Sequence, residues 1–293
     1  MSEAVEAGVK REHTYHAEAT VLSGHLYLPL EQAIKPQAFV KLSEQGGYLA
    51  QQSHDYRLEA VIRHRSAYTQ VAGNREIKDG HGWSTLVTSV VEGLNILDVI
   101  TADRVVAQIS TEHPLVGYVP SITFLGTRFE NLRIAGHPVN LKLDLNIFGD
   151  KAANDAPYTR DSDFQSRVVA QHDGVREQSR NHQSLFATLF ERYNRVPKSF
   201  EESEEDQETV ECSLVNQAEG DYPGRSFGHV IEVPHFGTIY LATLHLREFD
   251  YKPGTRIPRA TYVSLTMIEA VMGCIAHGTA TVATARTNGT TKP

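Results

Sequence analysis

The sequence predicts a mainly β protein: an antiparallel β-sandwich or barrel, with a central helical and acidic insertion and further C-terminal strands. Three observations carry that class. Residues 139 to 147 read Val-Asn-Leu-Lys-Leu-Asp-Leu-Asn-Ile, apolar at odd and polar at even positions. Side chains on a strand alternate faces with period 2, so this segment buries one row and wets the other. Turn signals then recur at intervals of ~8–15 residues, the rhythm of a sandwich or barrel. Helical periodicity is confined to the middle of the chain, between residues 161 and 195.

From about Thr20 the signals are β-type. Leu26, Leu28 and Leu30 alternate with Tyr27 and Pro29, and Gly46-Gly47 marks a turn. Alternation over Arg57 to Arg63 predicts the next strand, and Gly73-Asn74 and Asp79-Gly-His-Gly82 predict turns. Strands follow at Trp83 to Val91, Ile96 to Thr101, Arg104 to Thr111, Ser121 to Leu125, Arg128 to Ile134 and Val139 to Ile147. Together these form a first β block at about 15–149.

The pattern changes at Gly149. Lys151 to Thr159 is small and polar. Leu185, Phe186, Leu189, Phe190 and Tyr193 then make one apolar stripe on a helix that ends near Pro197, with a second helix expected around Asp163 to Gln171. The run from Glu201 to Glu211 holds seven acids and no Lys or Arg, which predicts a solvated loop. Strands resume at Thr209 to Val215, Gly228 to Val233, Gly237 to Leu246, Ala260 to Ile268 and Thr279 to Arg286. These fill a C-terminal block at 209–289, after an insertion at 150–208. They either complete the same sheet system or form a small second domain. Chain order favours the first, because five short strands make a thin core.

Formal net charge over the 293 residues is −8, and the acidic run accounts for nearly all of it. A nucleic-acid surface needs a basic footprint, and none is visible. No stretch reaches the ~18 uninterrupted apolar residues of a membrane helix. The N-terminal residues carry early acids and no apolar core of a signal peptide, so the expectation is a cytoplasmic protein without membrane partners. No P-loop and no G-x-G-x-x-G follows a strand, so no cofactor is expected.

Chemistry has few candidates. Histidine is abundant, with 14 copies. His229 and His235 flank Pro234 and His245 lies on the following strand, so a hairpin can bring imidazoles together as a transition-metal set. Tyr68 and Trp83, with Tyr48 and Tyr56 nearby in sequence, are candidates for a glycan or small-ligand platform. Carboxylates at Glu92, Asp98, Asp103, Glu112 and Glu130 sit on or beside strands, where a pair across a cleft would suit glycoside hydrolysis. Each set has a plainer explanation: turn histidines, core-sealing aromatics and polar strand faces. No nucleophile elbow is present, and no catalytic residue is assigned.

Tyr56-Arg-Leu-Glu-Ala-Val-Ile, Ser66 to Asn74, Thr101-Ala-Asp-Arg-Val-Val-Ala-Gln and Phe124 to Pro138 together resemble a group of uncharacterised bacterial β-rich proteins. The resemblance covers about residues 15 to 149 and 226 to 289. It implies a bacterial origin and no activity. The expected function is therefore a non-enzymatic structural or interaction protein, self-associating as a homo-oligomer through sheet edges or faces. Long edge strands must be covered, and a neighbouring subunit is one way to do it. A ligand-binding β module is the alternative, and a metal-dependent or carboxylate-based hydrolase the third reading.

Overall fold

The computed structural model describes residues 12–29, 31–75, 82–151, 155–193, 207–249, 259–273 and 276–292. The chain opens with β1 (Glu12–Leu28), β2 (Gln32–Gln37) and β3 (Val40–Lys41). Next come β4 (Gly47–Leu58), β5 (Ile62–Arg75), β6 (Trp83–Ile96) and β7 (Ile100–His113). The short strands β8 (Ser121–Thr123), β9 (Arg128–Glu130), β10 (Arg133–Ile134), β11 (His137–Pro138) and β12 (Asn140–Leu143) follow. A 3-10 turn at Tyr158–Arg160 leads into α1 (Ser162–Ser179) and α2 (Gln183–Tyr193). The last strands are β13 (Gln207–Ser213), β14 (Val215–Glu219), β15 (Arg225–Phe227), β16 (Val230–Val233), β17 (Gly237–Phe249), β18 (Ala260–Gly273) and β19 (His277–Lys292).

Two antiparallel sheets face each other as a sandwich, and neither closes into a barrel. The first runs β15-β16-β17-β18-β19-β1-β2, with β13 also on β17 and β3 on β1. The second runs β11-β10-β7-β6-β5-β4, with β8 and β9 also on β7. β1 pairs β19 from Glu12↔Lys292 to Leu28↔His277, so the C-terminal strands and the N-terminal strand share one sheet. The first β block thus supplies all of the second sheet but only β1–β3 of the first. Inward rows such as Val87 and Val91 on β6, Val105 and Ile109 on β7, and Ala17, Ala19 and Val21 on β1 meet in one core. Each such side chain removed from water contributes roughly 1–3 kcal/mol.

The Val139–Ile147 alternation yields less strand than its pattern predicts. β12 stops at Leu143, because the Asp144 carboxylate accepts the Asn146 N–H at 3.1 Å and turns the chain. β12 pairs β14 in a separate ribbon, which ties it to the C-terminal half. The predicted strand over Arg57 to Arg63 is broken at its centre, where Glu59 has φ +49 and Val61 N–H bonds Leu58 O at 3.1 Å. Ile96 to Thr101 is a hairpin turn, with Leu97 and Asp98 both at positive φ and Asp98 held by Asn95. Gly73-Asn74 lies inside β5, not in a turn. A Cβ on Gly73 would come within 2.6 Å of the Tyr15 ring, so glycine there permits close packing.

The helices lie on the outer face of the first sheet. The Asp161 carboxylate caps α1 by accepting Phe164 N–H at 2.7 Å. Leu185, Leu189 and Tyr193 of α2 pack with Val175 of α1 and with Phe227, Val230 and Tyr240 of the sheet. Phe190, expected on the same stripe, is exposed. The acidic run is not a solvated loop at its described end: Glu208 and Glu211 belong to β13, and residues 201–206 lie outside the described residues. Among the described residues no helix is long and apolar enough to cross a membrane.

Candidate self-association interface

The residues proposed for chemistry are dispersed. Trp83 is buried, its ring stacked on His13 at 5.1 Å. Tyr68 pairs with Val90 across β5 and β6, an odd number of positions from Trp83, so the two aromatics point to opposite faces of one sheet. The Tyr68 hydroxyl accepts a hydrogen bond from Arg104 at 3.0 Å, in a cluster where Glu92 takes the Ser66 hydroxyl at 2.8 Å. The other strand carboxylates are similarly occupied: Asp98 by Asn95, Asp103 by Asn131 and Glu130 by Arg128. Tyr48 is exposed on β4, and Tyr56 stacks on His64.

His229, His235 and His245 also separate. His235 sits exposed in the turn between β16 and β17 with φ +60. His229 is fully buried in the turn before β16, its Nε2 2.7 Å from the Tyr193 hydroxyl. Burial holds its pKa at about 3, so it is a neutral ring in hydrogen-bond contact with the phenol. His245 lies 3.5 Å from the Glu211 carboxylate. Burial alone would raise the Glu211 pKa, but His245 and Arg192 overcome it and hold the group at about 2. Among the described residues no three His, Cys, Asp or Glu side chains converge as a metal set. Cys212 is buried in β13 and Cys274 lies outside the described residues.

What these histidines join instead is a structural seam under the helices. Arg192, at the end of α2, donates to Glu211 at 2.6 Å and to Glu269 at 2.8 Å, and its guanidinium lies 3.8 Å over the Tyr240 ring. His172 of α1 sits between the carbonyls of Glu211 (2.7 Å) and Tyr193 (3.1 Å). Gln171, beside it, accepts Ser213 N–H at 2.7 Å and donates to Ser213 O at 3.0 Å. Three backbone groups at the C-terminal end of β13, Glu211 O, Ser213 N and Ser213 O, are thereby paired by side chains of a helix.

The remaining edges differ in one respect. β11 is two residues long and contains Pro138; β15 is three residues long and starts with Arg225. β2 carries Lys35 and Pro36, and β12 carries Lys142. Short length, Pro and Lys are the usual means of blocking a further strand. β4 has none of them. It spans twelve residues at the edge of the second sheet, pairs only β5 among the described residues, and holds no charge from Gly47 to His54.

β4 also exposes apolar side chains. Among the described residues ten large hydrophobics are exposed, and Tyr48 (62%) and Leu49 (46%) are on β4, with Phe39 (41%) in the connection between β2 and β3. Tyr27 (51%) and Leu28 (51%) end β1, where Leu28 pairs with His277 and the Tyr27 ring lies 5.4 Å from that of His277. Ser53 of β4 reaches Gln37 of β2 at 3.4 Å, which shows the two sheet margins side by side there. Sequence reading missed β4 because an edge strand wet on both faces has no alternation. Its available signal was the uncharged run Gly47 to His54, framed by β-forming Tyr48 and Leu49.

A family model described as Domain of unknown function (DUF8256) matches residues 13–247, which includes the helical and acidic insertion and stops within β17. No curated protein and no solved structure matches the chain.

Proposed function

The chain belongs to the DUF8256 family, and we propose that its role is that of a non-enzymatic interaction protein that self-associates through the β4 flank. The observation that carries this reading is the unblocked β4 edge, uncharged from Gly47 to His54 and bearing the exposed Tyr48 and Leu49. Unpaired strand donors and acceptors are a template for another strand, and an apolar margin beside them supplies the burial that fixes the contact. The regular stretch Gly47–His54 is about 27 Å long, from eight residues at ~3.4 Å each. At about 20 Å across two sheets and their side chains it offers roughly 540 Å² per partner, the size of a small, reversible interface. The buried free thiol of Cys212 suits a reducing compartment, in keeping with a cytoplasmic setting.

Size-exclusion chromatography with light scattering, run over a hundredfold concentration range, tests the reading. The expected mass exceeds the 32.6 kDa of one chain and falls toward it on dilution. A constant 32.6 kDa throughout overturns it.

A further inference from the structure

We infer that the association is a closed, two-fold dimer in which β4 pairs antiparallel with β4 of a second copy, extending the second sheet across the dyad. This rests on the self-association reading and adds the partner surface, the symmetry and the stoichiometry.

The argument runs by elimination over the edges. A strand added to β4 must come from an edge that itself has free donors and acceptors. β13 is seven residues long and its C-terminal end is taken by Gln171 and His172 of α1, which pair Ser213 N, Ser213 O and Glu211 O. β11 and β15 are two and three residues long. β2 holds Pro36 at its fifth position, where no N–H exists to donate, and Lys35 beside it. β12 has four residues with a lysine among them. Among the described strands only β4 is long and open enough to meet β4. A contact between the same patch on both copies is isologous, and such a contact consumes both edges and stops at two.

Self-pairing is chemically permissive as well. An antiparallel match of Tyr48–His54 with itself, centred on Gln51, sets no like charges opposite each other, because the segment has no charge. A two-fold axis perpendicular to the sheet keeps each side chain on its own face. Tyr48, Ala50, Gln52 and His54 of one copy therefore align with the same face of the other, and Leu49, Gln51 and Ser53 with theirs. Leu49 pairs with Val71, so its row lies on the core-side face of the sheet, and Tyr48 lies on the other. Asp55, at φ +48, marks the end of the regular edge.

Single-cysteine cross-linking tests this directly. Cys274→Ser removes the second thiol, Cys212 stays buried, and Ala50→Cys, Gln51→Cys and Gln52→Cys are made one at a time. Directly opposed residues in an antiparallel pair have Cα atoms ~4.5–5.5 Å apart, within disulfide reach. The expected result is a doubled mass that does not grow further with concentration. Mild oxidation is expected to give a covalent dimer at one of the three positions, with less than a tenth as much from a control cysteine at Glu219. Amides of Gly47–His54 should gain exchange protection at high concentration in the unmodified chain. A dimer with no self-cross-link at any of the three positions, or a mass that climbs past two chains, overturns the two-fold β4 pairing and leaves self-association standing. A monomer overturns both.

Discussion

β13 and β4 are both strand edges with backbone groups directed away from their sheets, and only at β13, over Glu211 and Ser213, does a helix occupy them. At β13 the Glu211 carbonyl meets the His172 ring, and Ser213 exchanges two hydrogen bonds with the Gln171 amide. Gln171 and His172 are adjacent on α1, and Arg192 of α2 adds a salt link to Glu211 on the same strand. The helical insertion is thus a lid over an edge and over the outer face of β17. Among the described residues no helix is placed over β4. In chain order β4 is joined to β3 of the first sheet by a five-residue connection and to β5 by a three-residue turn. Connections that short leave no room for a covering element. The difference teaches that this fold closes an edge by inserting a helix pair, and that an edge left without one is available for another chain.

Acid should break the closed side most severely. His172 and His229 lie beneath the helices, and burial lowers both pKa values, that of His229 to about 3. At the other end of the sandwich burial holds His113 at about 3 and His13 at about 4, each lowered further by a neighbouring histidine. Unfolded, each ring titrates near 6.5. Their folded pKa values are depressed, so the unfolded chain binds more protons below pH 6.5. Stability is then complete above about pH 6.5 and falls until the folded values are reached. The His229, His113 and His13 rings each contribute roughly 1 kcal/mol per pH unit to that loss, and His172 acts in the same direction. Between pH 7 and pH 5 the denaturant midpoint should drop by an amount equal to several kcal/mol, with β13 amides losing exchange protection. An unchanged midpoint over that interval would show that these rings are not neutral and buried in the folded chain.

The seam is also where legibility in the sequence ends. Alternation located most core strands, because a buried face leaves a period-2 trace, and the Leu185-Leu189-Tyr193 stripe located α2. The lengths of β12 and of the β6–β7 hairpin escaped, since they depend on side-chain hydrogen bonds by Asp144, Asn95 and Asp98. The seam escaped for a related reason. Gln171, His172, Arg192, Glu211 and Glu269 come from four separate elements, and no spacing connects them. The first two pair with backbone groups, which any polar side chain of suitable length can do. For β4 the trace was missing altogether, because neither face is buried.

Gln171→Ala is a smaller and more local way to open the closed edge. It removes the acceptor of Ser213 N–H and the donors to Ser213 O, Val215 O and Asn216 Oδ1. Leaving part-buried backbone groups unpaired costs about 1–3 kcal/mol. The Ser213 amide should exchange at least tenfold faster. If chemical denaturation shows less than ~0.5 kcal/mol and exchange is unchanged, water replaces the amide at no cost and β13 is not closed by the helix.

The open edge should respond in the opposite sense. Gln52 is exposed near the middle of the uncharged stretch of β4. Gln52→Lys adds the charge that protected edges carry. In the isolated chain the expected change in unfolding free energy is within ~0.5 kcal/mol, as for other exposed substitutions. Association should weaken at least tenfold, because a two-fold contact sets the new lysine against its own copy. Both numbers come from one sample, by denaturation under dilute conditions and by light scattering at high concentration. A loss above 1 kcal/mol in the dilute chain would mean that β4 is already covered within one molecule. In that case the contrast between the two edges disappears, and with it the ground for assigning β4 to a second copy.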